Sequence, residues 1–130
     1  MTQKTYLVAV VDDDNSVRKA ISRLLRSAGF EARPFGSGVE FLESLSTDLP
    51  DCAIVDLHMP NMNGLEVQAR ISASDLHVPV ILITAHDAPG VRERAITAGV
   101  AAYLAKPLAE EALLDSIITA VHQRGDVNHH

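Results

Sequence analysis

The chain has 130 residues and a mass of 14.0 kDa, 47% of it hydrophobic and 22% charged, which is about one domain able to bury a core without disulfide staples and excludes intrinsic disorder. Eleven Lys and Arg against seventeen Asp and Glu leave a formal charge of -6, which argues against a nonspecific hold on nucleic acid or on an anionic membrane. Cys52 stands alone, and the longest apolar runs, Tyr6 to Val11 and Val100 to Ala105, are far too short to span a bilayer, so a reducing, cytoplasmic setting is expected.

Short runs rich in Val and Ile alternate with longer stretches of helical periodicity along the whole chain, the pattern of a parallel α/β domain. A first strand is expected over about 6 to 11. The helix after it, about 15 to 28, puts Val17, Ile21, Leu24 and Leu25 on one stripe, with Asp14 or Asn15 as N-cap and Gly29 closing it. Strand two, 31 to 35, contains Pro34 and two charged residues, so it reads as an edge. Ser37 to Glu40 has capping-box spacing for a second helix running to about Leu45. Strand three, 52 to 56, is followed by a helix after Asn63 that reaches Ala73. Strand four, 80 to 84, leads to a fourth helix expected to open at Asp87-Ala88-Pro89 and to stop at Gly99. Strand five, 102 to 105, precedes a last helix over about 109 to 123.

Central parallel strands are buried on both faces and so read as continuous apolar runs. With right-handed crossovers this gives a single-domain, doubly wound, flavodoxin-like (βα)5 sheet of strand order 2-1-3-4-5. Winding reverses between strands one and three, and ligands of such sheets bind outside the carboxyl ends at that reversal. Residues 1 to 123 form the expected domain, and Arg124 to His130 read as an irregular tail or linker stub.

The residues just past the inner strands are Asp12 and Asp13, Asp56, Thr84 and Lys106. Three converging carboxylates repel, by about 3 kcal/mol per pair at about 5 Å and an effective dielectric of about 20. Lys106 offsets one charge, and the remainder points to a hard divalent cation with oxygen ligands, Mg2+ being the economical choice. Such a cluster suits a phosphoryl group transferred to Asp56, with Thr84 and Lys106 on the phosphoryl oxygens.

These residues sit in four motifs: Val11-Asp12-Asp13-Asp14; the run from Asp56-Leu57-His58-Met59-Pro60 to Gly64-Leu65-Glu66; Ile83-Thr84-Ala85-His86; and Tyr103-Leu104-Ala105-Lys106-Pro107. Together they resemble the response-regulator receiver domains, CheY-like and especially similar to FixJ-type receivers, over about residues 5 to 123. The resemblance implies Asp56 as phosphoacceptor for a sensor histidine kinase. It implies Mg2+ on Asp13, Asp56 and the His58 backbone carbonyl, with Asp12 acting through water. Thr84, Ala85 and Lys106 would bind the phosphoryl group, Thr84 and Tyr103 would form the switch, and the Lys106-Pro107 bond would be cis. His58 and His86 occupy variable positions that adjust dephosphorylation in the family, and Leu108 stands where many members carry Phe. The face made by helix four, strand five and helix five would dimerise or meet an output. FixJ-type receivers usually precede a helix-turn-helix domain and none follows here, so either a single-domain regulator or a receiver separated from its output is expected.

Two rival functions use overlapping residues. A haloacid-dehalogenase-like phosphatase would make Asp12 the nucleophile and Asp14 the acid or base, but it leaves Asp56 idle and lacks a further acidic motif after Lys106. A flavodoxin-like FMN carrier needs a glycine- and hydroxyl-rich loop after strand one, where this chain is anionic. Taken singly, Asp14 reads as a cap, Thr84 as ordinary strand material, and Tyr103 as a packing residue with a wet hydroxyl. Six histidines show no i, i+4 pair, so no zinc site is expected from spacing. Leu114 and Ile118 widen the apolar stripe of the last helix beyond what one sheet face requires.

Overall fold

The computed structural model describes residues 5–127. Five parallel strands, β1 (Leu7–Val11), β2 (Glu31–Phe35), β3 (Cys52–Asp56), β4 (Val80–Thr84) and β5 (Ala102–Ala105), form one sheet in the expected order β2-β1-β3-β4-β5. Helices α1 (Asn15–Ser27), α2 (Gly38–Ser44), α3 (Gly64–Ser72), α4 (Val91–Ala98) and α5 (Glu110–Val127) connect and follow them.

Side chains alternate across a strand, and that alternation splits the core in two. Ala9, Val11, Ala53, Val55, Val80, Leu82 and Tyr103 face α2, α3 and α4, where they meet Phe41, Val67, Ile71 and Ala95. Val8, Val10, Cys52, Ile54, Ile81 and Ile83 face the other way, onto Ile21 and Leu25 of α1 and Leu113, Ile117 and Val121 of α5. With both faces covered, β3 and β4 are buried at every residue, whereas β2 buries only Ala32 fully, as suits an edge strand. Leu108 packs, half-buried, against the α1 and α5 side of the core, as does Leu114, while Ile118 stays exposed.

Register fixes which residues leave the sheet together. Val11 pairs with Val55, Asp56 with Ile83 and Thr84 with Ala105, so the chain emerges from β1, β3, β4 and β5 at nearly one level. Gly64 lets α3 start hard against this edge: a Cβ there would lie 2.5 Å from Leu82 Cδ1 and 2.8 Å from the Asp56 carbonyl oxygen.

Helix ends show where local signals prevailed and where they did not. Asp14 caps α1, accepting from the N–H groups of Ser16 and Val17, and Gly29 follows its C-terminus at φ 95°. Ser37 caps α2 by accepting from the Glu40 N–H, but the reciprocal capping box forms at α3 instead, between Asn63 and Glu66. The fourth helix differs most from expectation. It begins at Val91, behind Gly90 at φ 83° and with no side-chain cap, because the Asp87 carboxylate accepts a hydrogen bond from Tyr103 at 3.0 Å. A carboxylate committed to a neighbouring strand is not available to orphan helix N–H groups. The last helix continues to Val127, past its expected end at 123, since Gly125 lowers helix propensity by only about 1 kcal/mol and does not stop a helix already packed. Residues 128 to 130 lie outside the described residues. The Lys106-Pro107 bond is cis.

Candidate functional site

Strands β1, β3, β4 and β5 each deliver functional groups to the carboxyl edge of the sheet. Asp12 is the first residue past β1, fully buried, with its N–H donating to the Phe35 carbonyl at 3.1 Å. One carboxylate oxygen, Oδ1, accepts from the Asp14 N–H at 2.9 Å, and the other, Oδ2, is buried with no hydrogen-bond partner among the described residues. Burial raises the Asp12 carboxyl above the usual carboxylate range; the Asp14 N–H opposes this, and the nearby Asp56 charge adds to it. Asp13 points outward and is exposed, yet its carboxylate, with those of Asp12 and Asp56, supplies oxygens all within 4.8 Å of one another.

Asp56 closes β3, buried, with Oδ1 accepting from the His58 N–H at 3.2 Å. Lys106, the first residue after β5, stands between the two buried carboxylates, its Nζ 3.6 Å from Asp12 Oδ2 and 3.7 Å from Asp56 Oδ2. One cation therefore serves two buried anions, so Asp12 and Asp56 together keep an uncompensated negative charge in a place of low solvent access, with the exposed Asp13 adjoining them. Asp12 Oδ2, held only by the Lys106 ion pair at 3.6 Å and by no hydrogen bond, is costly to bury unless a further partner completes it. A hard cation with oxygen ligands fits that vacancy in charge, so the residues suit Mg2+, and receiver domains bind Mg2+ at such an acidic pocket.

Thr84 ends β4 fully buried. Its hydroxyl donates to the His86 carbonyl at 3.1 Å and accepts from the His86 N–H at 3.0 Å, so it is held by the loop that follows its own strand. Ala85 is exposed on that loop. Tyr103 corrects the reading of a wet hydroxyl on an edge strand: only 5% of the residue is exposed, and its hydroxyl donates to Asp87. Arg92 of α4 lies over the ring with its guanidinium carbon 4.8 Å from the centre, a cation–π contact. Burial, then the bond to Asp87, raises the Tyr103 phenol above its usual range.

Asp12, Asp13, Asp56 and Lys106 thus converge as their positions after the strands suggested. Three contributors escaped the sequence. Arg18, one turn into α1, donates to the Asp12 carbonyl at 2.6 Å and steadies the loop that carries the acidic pair. Asp87 and Arg92 hold Tyr103 from two elements. The only trace of Arg18 in the sequence is a basic residue on the edge of the α1 stripe, and Asp87 resembled a helix cap. Asp14, the proposed acid or base of a phosphatase, is engaged by the backbone N–H groups it caps.

Comparison with known proteins agrees with this fold. The response regulator receiver domain family matches residues 8–118. Nodulation protein W of Bradyrhizobium diazoefficiens is 35% identical over 117 residues, which are 90% of this chain and 52% of that protein. The chain spans about half the length of the curated relatives it matches. A crystal structure of FixJ-N superposes with a TM-score of 0.86 at 28% identity, covering 92% of this chain and 96% of that one. A response regulator receiver protein from Burkholderia phymatum is 48% identical with a TM-score of 0.80, again over 92% and 96% of the two chains. No helix among the described residues is long and apolar enough to cross a membrane. The family match, with structures that share the 2-1-3-4-5 sheet, makes this chain a member of the response regulator receiver domains of two-component systems, a family of signalling domains.

Proposed function

We propose that Asp56 accepts a phosphoryl group from a sensor histidine kinase in a Mg2+-dependent reaction, and that the change is passed to the face made by α4, β5 and α5 to control an output or partner. The observation that carries this reading is the Lys106 ammonium shared by Asp12 and Asp56, beside a buried Asp12 oxygen without a hydrogen-bond partner. A carboxylate oxygen of Asp56 bonds to phosphorus as the bond from phosphorus to the donor's imidazole nitrogen breaks, and the freed imidazole takes a proton from water. Little covalent assistance is required if charge is stabilised and the groups are aligned. Lys106 acts as a point charge on the phosphoryl oxygens, joined by the Thr84 hydroxyl and the Ala85 N–H. Asp12, Asp13, Asp56 and the His58 carbonyl would hold Mg2+, whose chemistry there is neutralisation of the carboxylate and phosphoryl oxygens.

A physical route to the switch runs through the loop after β4. The Thr84 hydroxyl cannot turn to a phosphoryl oxygen while it donates to the His86 carbonyl. Releasing that bond removes one of the two ties between Thr84 and the segment that carries Asp87, and so loosens the partner of the Tyr103 hydroxyl. Tyr103 in turn lies under Arg92 of α4, so one hydroxyl rotation biases a strand and a helix together. Ile96 and Ile118 leave apolar side chains exposed on the α4 and α5 surfaces, in keeping with a receiving partner or second copy.

Incubation with acetyl phosphate and Mg2+ should add one phosphoryl mass to the chain, and Asp56→Asn should abolish it. Labelling that survives this substitution would place the acceptor elsewhere. Hydrogen exchange should show changed protection over residues 85 to 105 on phosphorylation; equal protection with and without donor would refute the switch.

A further inference from the structure

The fold brings together two side chains that no sequence spacing links. His58 follows β3 and His86 follows β4, adjacent strands of the sheet, and their rings lie 5.6 Å apart between centres with planes inclined by 69°. Both residues are exposed, but both backbones are pinned from beneath. The His58 N–H donates to Asp56, and the Thr84 hydroxyl ties both the N–H and the carbonyl of His86. The spacing of the two backbones is therefore held by the site below, while the rings keep freedom to turn a nitrogen inward.

That separation suits a shared metal ion. With a metal–nitrogen distance of about 2.0–2.1 Å, a ring centre lies about 3.2 Å from the ion, so two imidazoles on one tetrahedral ion have centres about 5.2 Å apart. The observed 5.6 Å is within about 0.4 Å of this, well inside the reach of small side-chain rotations. Imidazole selects zinc, copper or nickel, whereas the carboxylate group below selects hard cations.

We infer that His58 and His86 form a two-imidazole pincer for a divalent transition metal such as zinc, over the mouth of the pocket that contains Asp56 and separate from its oxygen-ligand site. Water completes the coordination. Resting on the reading of Asp56 as phosphoacceptor, a metal clasped there narrows the approach of donors and ties the rate of phosphorylation to metal supply.

Zinc titration of the full chain at saturating Mg2+, followed by amide NMR, tests the pincer. Shifts should centre on residues 57 to 59 and 85 to 87, and His58→Asn and His86→Asn should each weaken binding by about ten-fold or more, because each abolishes chelation. His77→Asn and His122→Asn should leave affinity unchanged, and His129 and His130 are retained in every variant as a common background. Circular dichroism confirms that each variant is folded. Equal zinc affinity in the His58→Asn, His86→Asn double variant overturns the inference, as does sensitivity to only one of the pair. In a second assay, zinc should slow acetyl phosphate labelling of the wild-type chain and have no effect on the rate of the double variant. Absence of labelling without zinc counts against Asp56 as acceptor and leaves the titration to decide the pincer.

Discussion

Helices α1 and α4 flank the same site and are built differently. The first is 13 residues long, capped by the Asp14 side chain, with Ile21 and Leu25 buried in the core and Arg18 gripping the Asp12 carbonyl. The second has 8 residues, starts behind an uncapped glycine, buries Ala95 alone and leaves Ile96 60% exposed. Its far end is tied at the Ala98 carbonyl by Gln68 and Ser72 of α3. The receiver thus has a stiff side, which holds the acidic residues in place, and a soft side, which has little to lose by moving. Local stability follows buried apolar area and caps, and elements that move are drawn from the low end of that range.

The comparison breaks most readily at the buried anchors. Leu25→Ala should cost about 2–5 kcal/mol in urea unfolding, against about 1 kcal/mol for Ala95→Gly, the propensity difference with little cavity. Equal costs would mean that α4 is anchored as firmly as α1. A second test addresses the charge that the stiff side holds. Because the folded-state pKa of Asp12 is raised, the folded protein binds the proton more tightly than the unfolded chain. The stabilisation from this group is present at low pH and falls away as pH rises from the ordinary carboxylate value through the raised one. In Mg2+-free buffer at pH 7, Asp12→Asn should therefore raise the unfolding midpoint and flatten this part of the pH profile, while Mg2+ should stabilise the wild type more than the variant. A lower midpoint for the variant would show that Lys106 and the surrounding groups compensate the carboxylate without a metal ion.

Smaller effects sharpen the contrast. Asp14→Ala should cost about 1 kcal/mol through loss of the cap, with exchange rising over the first turn of α1. Ile96→Ser should change stability by less than about 0.5 kcal/mol, the usual range for an exposed position. A cost of several times that would place Ile96 in a packed environment.

The sheet and the acidic site were legible for one reason. Strands buried on both faces cannot afford polar residues, so β3 and β4 appear as unbroken apolar runs, and the first polar residue after each marks the sheet edge. Asp12, Asp56 and Thr84 are read from that rule as the polar residues that end or follow such runs, Lys106 follows the shorter apolar run of the edge strand β5, and the register aligns them. What escaped depends on contacts between distant segments. Asp87 has the sequence of a cap and serves Tyr103 instead; Arg18 looks like a solvated helix residue and holds a carbonyl. His58 and His86 are 28 positions apart in the chain and meet only because β3 and β4 are neighbours. Local spacing reports helices and turns, and cannot report pairs made by strand order.

Lys106 stands almost midway between two buried anions, which makes its side chain a pivot. Any event that makes one end of this short beam more negative draws the ammonium toward it and leaves the other carboxylate to find new company. Acid strength at Asp12 is thereby linked to what happens at Asp56, with no change of backbone required, and the 15N resonance of the lysine side chain gives a direct gauge of which way the pivot leans.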